Sequence, residues 1–510
     1  MDIRRHTISR ILGKPAEDFT LEDMMSFMTD NGIDMLNFMY PAEDGRLKTL
    51  NFVIDSEEYL HSVLTNGERV DGSSLFSFIE AGNSDLYVVP ELRTAFIDPF
   101  EELPTICFLC AFFDKDGKRL EYSPEYTLYK AKTLFREKTG MDFEVMGELE
   151  YYVSAPEDED LQMYPATDQK GYHESAPFAK FNSFRAECMH AVMLAGGKIK
   201  YGHSEVGNFR SGGRIWEQNE IEFLPSDMEK AAEGLMLAKW IIRNLAYRYG
   251  LDVCFAPKIA AGKAGSGLHI HMRLMKDGRN MMLNDKGEIS DVARKAIAGL
   301  MDMAPSITAF GNANPTSYLR LVPHQEAPTN ICWGDRNRSV LVRIPLGWTS
   351  GRDMFSEVNP PLADDMPEGT FLHRGHERNS DPSVKQTMEI RSADCSADIY
   401  QLISALSIAC RHGLEMDNAL EVAKRTYVDT DIHKDTRLAD ALAHLPASCA
   451  ESADTLEQQR SIYEADGIFH PAMIDSIISR LRSYSDADLR QRMKENPELE
   501  GELVRRFYWV

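Results

Sequence analysis

The sequence predicts an α+β protein. A small mixed N-terminal domain spans residues 1–110, and the remainder, 111–510, carries a curved, mainly antiparallel sheet flanked by helices. Segments of period-two alternation return at 144–153, 218–224, 267–274, 341–344 and 387–392, with long and unequal gaps that a regular strand–helix repeat would not give. Amphipathic stretches with clear start and stop residues lie between them. No internal repeat or low-complexity linker interrupts the chain, and 510 residues are enough for more than one core.

Residues 1–30 read as a helical lead-in, followed by short strands at 35–40 and 48–54 and a small polar loop, DGSS, at 71–74. A strand at 86–89 stops at Pro90, and IDPF at 97–100 reads as an elbow. The apolar run ICFLCAFF holds Cys107 and Cys110, which a buried strand sends to opposite faces. With no turn between them and no second pair, they read as packing rather than redox or zinc chemistry. Farther on, Ser123-Pro124-Glu125 opens a helix that stops at Gly140. Ser226 and Glu229 read as a capping box before a run ending at Gly250, and residues 396–413 form another helix. The polar, Pro- and Asp-rich stretches 151–177 and 348–384 read as surface excursions.

Composition sets outer limits on function. The net charge of −24 argues against a protein that grips nucleic-acid backbones, and it leaves carboxylates to attract cations. The first residues lack the apolar core of a signal peptide, no apolar run approaches a membrane span, and eight scattered cysteines fit reduced thiols. A cytoplasmic protein is expected.

Chemistry enters through the strand faces. In GELEYYV, Glu148 and Glu150 share one face while Leu149 and Tyr151 take the other. One such pair would suit a solvated edge strand, but the pattern recurs. Glu220 and Glu222 share a face in EQNEIEFL, as do His269, His271 and Arg273 in GLHIHMRL, and Glu389 and Arg391 in TMEIRS. On one sheet these faces build a pocket of carboxylates, imidazoles and guanidiniums. Such an oxygen-rich set with histidine suits Mg²⁺ or Mn²⁺, and zinc is disfavoured because H-E-x-x-H is missing and no cysteine pair lies beside these strands. A second cluster, Arg320, Arg336, Arg338 and Arg343, alternates with apolar residues and suits bidentate recognition of phosphate or carboxylate. Cations and arginines around an anionic centre are the means of phosphoryl transfer. No Walker loop is present, and the Gly-rich GKAGSGLH precedes a strand rather than a helix.

In order along the chain, DGSS, NSD, IDPF, GELE, HSEV…EQNE, GSGLHIHM, RLVPHQEAP, RNRSVLVRIP and MEIRSAD resemble glutamine synthetase of the bacterial type I form, from the DGSS loop to the final FYWV. The resemblance implies a β-grasp N-terminal domain, a larger catalytic domain, and rings of subunits with sites between neighbours. It implies ATP as co-substrate and two or more Mg²⁺ or Mn²⁺ ions per site. One ion would be held by Glu150, Glu205 and Glu220, the other by Glu148, His269 and Glu389. Arg320, Arg391 and Gly265 would take the amino acid. Arg338, Arg343 and Lys385 would take the nucleotide, and Glu326 would sit on a flap. Asp71, from the neighbouring subunit, would bind and deprotonate ammonium, with Ser74 and Asp85 nearby. The implied reaction makes glutamine from glutamate and ammonia through γ-glutamyl phosphate.

Three segments depart from the family pattern. Ala264 stands where an asparagine usually precedes the Gly-Ser-Gly of the substrate loop. Residues 206–217, VGNFRSGGRIWE, are longer than the usual link between the two metal motifs, Ser204 replaces a histidine, and Glu217 or Glu222 competes with Glu205. SADCSADIY replaces FPDP-x-ANPY on the adenine side. These departures keep two alternatives in view: a ligase that joins glutamate or a related acid to an organic amine, and a non-catalytic nucleotide-binding relative.

Overall fold

The computed structural model of the protein describes residues 6–80, 82, 84–158, 163–322, 327–347, 358–359 and 385–510. The lead-in is two helices, α1 (Thr7–Leu12) and α2 (Leu21–Asp30), and α2 opens on a full capping box of Thr20 and Asp23. Six strands follow, β1 (Met35–Pro41), β2 (Leu47–Val53), β3 (Glu68–Asp71), β4 (Asp85–Pro90), β5 (Phe96–Ile97) and β6 (Thr105–Phe113), with helix α3 (Glu57–Asn66) between β2 and β3. They pair in the order β2-β1-β6-β4-β3, with β1 parallel to β6 and β5 added on β6.

β6 is buried on both faces, which is why its sequence is continuously apolar. Phe108, Cys110 and Phe112 enter the N-terminal core, whereas Cys107 and Leu109 enter the catalytic core. The expected opposition of the two cysteines holds. The boundary at residue 110, however, falls inside this strand, which runs on to Phe113.

The catalytic part opens with α4 (Pro124–Thr139), started at Ser123 and stopped by left-handed Gly140 as expected. Its sheet contains β7 (Asp142–Pro156), β8 (Ile199–Ser211), β9 (Arg214–Phe223), β10 (Ser226–Asp227), β11 (Asp252–Cys254), β12 (Leu268–Lys276), β13 (Arg279–Asn280), β14 (Trp333–Asp335), β15 (Val342–Ile344) and β16 (Met388–Ile390). The main path is β14-β15-β16-β12-β7-β9-β8, antiparallel except at β14–β15. Helices α5 (Asn182–Leu194), α6 (Met228–Tyr249), α7 (Asp291–Gly311), α8 (Ser317–Arg320) and α9 (Ile399–Glu415) follow in the chain, and further helices continue from Ala419 to Arg506. Leu149, Tyr151, Ile221, Ile270, Met272, Met388 and Ile390 point into one core with α4, α6, α7 and α9, so the opposite strand faces stay free for polar groups.

The structure moves several expected boundaries. The cap of α6 is Asp227, whose carboxylate accepts from Lys230 N–H, because Ser226 is held as a strand residue against Val145. α9 starts at Ile399 behind the Asp398 cap rather than at Ser396, whose hydroxyl donates to Asp394. β7 continues to Pro156, so residues 151–155 are buried strand, and the surface excursion begins only after it. Residues 206–217 form no loop: they are the turn end of the β8–β9 hairpin, reversed at Gly212-Gly213 where both φ values are positive. No helix among the described residues is long and apolar enough to cross a membrane.

Candidate active site

Strand register assembles the site. His269 on β12 pairs with Glu148 on β7, Glu148 with Glu222 on β9, and Glu150 with Glu220. On the other side of β12, His271 pairs with Glu389 of β16, which pairs with Arg343 of β15. On the outer strand, His203 of β8 faces Glu220. These side chains line one cleft of about 1830 Å³, which also takes in Glu205, Gly265, Arg320, Arg338, Lys385 and Arg391 and reaches His6 in the lead-in.

The contacts are short. His269 Nδ1 lies 2.8 Å from Glu148 Oε2 and 3.5 Å from Glu389 Oε1, and His271 Nε2 lies 2.8 Å from Glu148 Oε1. Burial alone would raise the Glu148 carboxyl, but His271 and His269 outweigh it and hold it well below the usual carboxylate range. Burial and then the neighbouring carboxylate of Glu150 push Glu205 up to about 8. Burial followed by Glu148 and Glu150 likewise pushes Glu220 well up. Like charges crowded out of water call for cations, and the donor set fits divalent ones. Glu148, Glu220 and His269 offer atoms that all lie within 4.8 Å of one another, as do Glu148, Glu222 and His271, and His203, Glu205 and Glu220.

Glu389 is 1% exposed and is also the counter-charge of two arginines. Arg343 donates to it at 2.7 Å, and Arg391 Nε lies 3.2 Å away. The buried Nε of Arg343 has no acceptor among the described residues, so this side of the cleft retains a donor for an anion. Arg338 presents its carbonyl to Arg391 and lines the cleft, as does Lys385.

The Gly-rich loop before β12 is held from several sides. Gly267 N–H donates to Glu150 Oε2 at 2.7 Å, while Gln218 Nε2 donates to Gly265 O at 2.9 Å and to Glu150 Oε2 at 3.1 Å. Ala264 N–H donates to Gln169 Oε1 at 2.7 Å, and its carbonyl accepts from Tyr152 at 2.8 Å. A Cβ on Gly265 would stand 2.6 Å from Pro257 O and 2.9 Å from Arg320 Cγ. Arg320 passes under this loop and donates to the carbonyls of Ser392 at 2.8 Å, Arg391 at 3.2 Å and Ala393 at 3.3 Å. Its guanidinium therefore braces backbone as well as facing the cleft.

Of the expected residues, Glu148, Glu150, Glu205, Glu220, His269, Glu389, Gly265, Arg320, Arg338, Arg343, Lys385 and Arg391 converge on the cleft. Asp71, Ser74 and Asp85 do not line it. They sit together elsewhere: Asp71 pairs with Asp85 across β3–β4 and accepts from Ser73 and Ser74 hydroxyls at 2.7 Å each. Glu326 lies outside the described residues. Glu217 turns away, its carboxylate accepting from the N–H groups of Lys180 at 2.7 Å and Phe181 at 3.4 Å, whereas Glu222 faces the cleft with Lys200 2.6 Å away. The sequence reading missed His203 and Gln218. The two-residue step from His203 to Glu205 carried the signal for the first, but β8 alternates too weakly for that step to be read as strand.

The catalytic-domain model of the glutamine synthetase family matches residues 121–363, and that family's beta-Grasp domain model matches residues 32–115. The chain is 32% identical over 371 residues to a glutamine synthetase of Frankia alni, covering 67% of this chain and 76% of the relative. The chain belongs to the glutamine synthetase family. A glutamine synthetase of Mycobacterium bovis is 29% identical over 496 residues, covering 90% of this chain and 94% of its own. Two solved structures share the fold. Plasmodium falciparum glutamine synthetase has a TM-score of 0.72 at 18% identity, covering 92% of this chain and 97% of that one, and GmaS without ligand has 0.70 at 19%, covering 92% and 96%. As a member of this family the protein is a ligase that takes ATP with Mg²⁺ or Mn²⁺, and its acidic and imidazole groups suit those ions.

Proposed function

We propose that the protein joins glutamate to ammonia, making glutamine, ADP and phosphate through γ-glutamyl phosphate. The observation that most supports this reading is the strand register that sets Glu148, Glu150, Glu220, His269 and Glu389 on one face beside Arg343. In this reading Glu150, Glu205 and Glu220 hold one divalent cation, and Glu148, His269 and Glu389 a second. Bound there, the cations neutralise the phosphate charge that builds during transfer.

Arg338, Arg343 and Lys385 orient the nucleotide phosphates, and Arg391 and Arg320 with the Gly265 loop orient the amino acid. A γ-carboxylate oxygen of glutamate attacks the γ-phosphorus, and the bond from that phosphorus to the ADP oxygen breaks. Ammonia then attacks the γ-carbon, and the carbon–oxygen bond to phosphate breaks. The ammonium must first lose a proton, which is the role of Asp71, with Ser74 and Asp85 beside it. Hydroxyl donation from Ser74, Ser84 and Ser73 holds the Asp71 carboxyl well below its usual range, so it meets ammonium as an anion. Because Asp71, Ser74 and Asp85 lie away from their own chain's cleft, this reading has them supplied by a neighbouring subunit in a ring.

Ala264, in place of the usual asparagine, favours a second reading in which an organic amine replaces ammonia. Phosphate release from ATP with glutamate, measured against ammonia and a panel of amines, separates the two. Release that needs ammonia supports the first reading. Release only with an organic amine overturns its acceptor half, and no release with any acceptor overturns both.

A further inference from the structure

His203 has no part in the ligand set proposed above, yet its surroundings are those of a metal ligand. Its Nδ1 lies 3.1 Å from the carbonyl of Ser204, an oxygen that can only accept, so this nitrogen carries the proton. In the neutral ring Nε2 is then a bare lone pair, and it points at Glu220 Oε1 from 3.1 Å. Two acceptors at that distance repel unless a proton or a cation stands between them. Glu205 closes the third side, and the three residues offer donor atoms within 4.8 Å of one another.

The ring is also held in place. His173 packs on it at 4.3 Å between centroids, and Tyr172 meets it edge-on at 5.5 Å. A metal-binding histidine characteristically gives its other N–H to a carbonyl or carboxylate, and that is the arrangement of His203 and Ser204.

We propose that His203 Nε2 is a direct ligand of the divalent cation held by Glu205 and Glu220, and that this position therefore prefers Mn²⁺ and Co²⁺ to Mg²⁺. An imidazole favours the transition ions, whereas Mg²⁺ favours an all-oxygen shell. The inference rests on the metal reading of the cleft and adds a nitrogen to a position otherwise given only carboxylates.

The test titrates full-length, nucleotide-free protein with Mn²⁺, following free ion by electron paramagnetic resonance, and with Mg²⁺ by calorimetry. His203→Ala is expected to weaken one class of Mn²⁺ sites by roughly 10- to 100-fold, the scale of loss seen when groups that support a metal are removed. His203→Asn, which offers an amide oxygen, is expected to keep Mg²⁺ binding while the Mn²⁺-to-Mg²⁺ preference falls about tenfold. In the wild type, nitrogen coupling measured by spin-echo spectroscopy should appear at two Mn²⁺ positions, one of them lost in either variant. Coupling at a single position, or unchanged Mn²⁺ isotherms in both variants, overturns the role of His203 while the metal centre stands; a shared proton would then fill the gap to Glu220. A wild type that binds no Mn²⁺ overturns the metal reading itself. The spin-echo measurement on the wild type decides the matter even where a variant does not fold.

Discussion

In the proposed reading the cation half of the cleft stands on strands, whereas its amino-acid half stands on loops, and the two halves differ in how many partners fix each group. Glu148, Glu220, His269 and Glu389 project from β7, β9, β12 and β16, each locked by a ladder of backbone bonds on both sides. Gly265 and Ala264 are placed instead by single side-chain bonds from Gln218, Gln169 and Tyr152. Errors in the strand half should therefore be costly and global. Errors in the loop half should be graded and confined to one substrate.

The largest effect is expected from Glu389→Ala, which strands Arg343 and Arg391 beside a buried site. Activity should fall about 10²- to 10³-fold or more, and stability by about 3–5 kcal/mol in a urea titration. An unchanged unfolding midpoint would break the contrast at its strong end.

Acidity is next. Glu205, raised to about 8, must lose its proton before it can bind a cation, so Mn²⁺ affinity should climb roughly 100-fold from pH 6 to 8 and then level off. The metal-free fold should behave oppositely. The folded state holds this proton more tightly than the unfolded chain, so stability is fully present below the ordinary 4.5 and declines as pH rises toward 8. Thermal melts across that range, with and without Mn²⁺, check both signs; a metal-free protein that gains stability with rising pH would contradict the crowding of carboxylates.

In the loop half, Gly265→Ala drives a Cβ against Pro257 O and Arg320 Cγ. Overpacking of about 1–3 kcal/mol corresponds to a rise of roughly 5- to 150-fold in the amino-acid KM, with the ATP KM unmoved. The smallest effect is expected from Gln169→Ala, which removes one hydrogen bond to Ala264 N–H and should raise the same KM about 2- to 12-fold. Equal shifts in both KM values for either variant would show that the halves are not separable.

The same contrast explains what the sequence disclosed. Period-two alternation on β7, β9, β12 and β16 announced which side chains share a face, because strand geometry leaves no other choice. That reasoning found Glu148, Glu150, Glu220, His269 and Glu389 and the antiparallel sheet carrying them. It failed on β8, where Gly202, Gly207 and a register shift between Ser204 and Asn208 blur the alternation, and His203 was lost with it. Neither Gln218 nor Gln169 could be read at all, since their roles depend on loops meeting strands from distant parts of the chain. Arg320 was legible as a cleft residue, but its bonds to three carbonyls depend on tertiary packing that no local pattern records.

β6 carries a consequence for cooperativity. Because Cys107 and Leu109 serve one core while Phe108, Cys110 and Phe112 serve the other, neither core can melt without stripping a strand face from its neighbour. The protein should therefore absorb heat in one calorimetric transition, and a fragment ending at residue 110 should not hold its fold. The N-terminal sheet and the catalytic sheet thereby keep a fixed spacing, so whatever positions the first sheet also aligns the second.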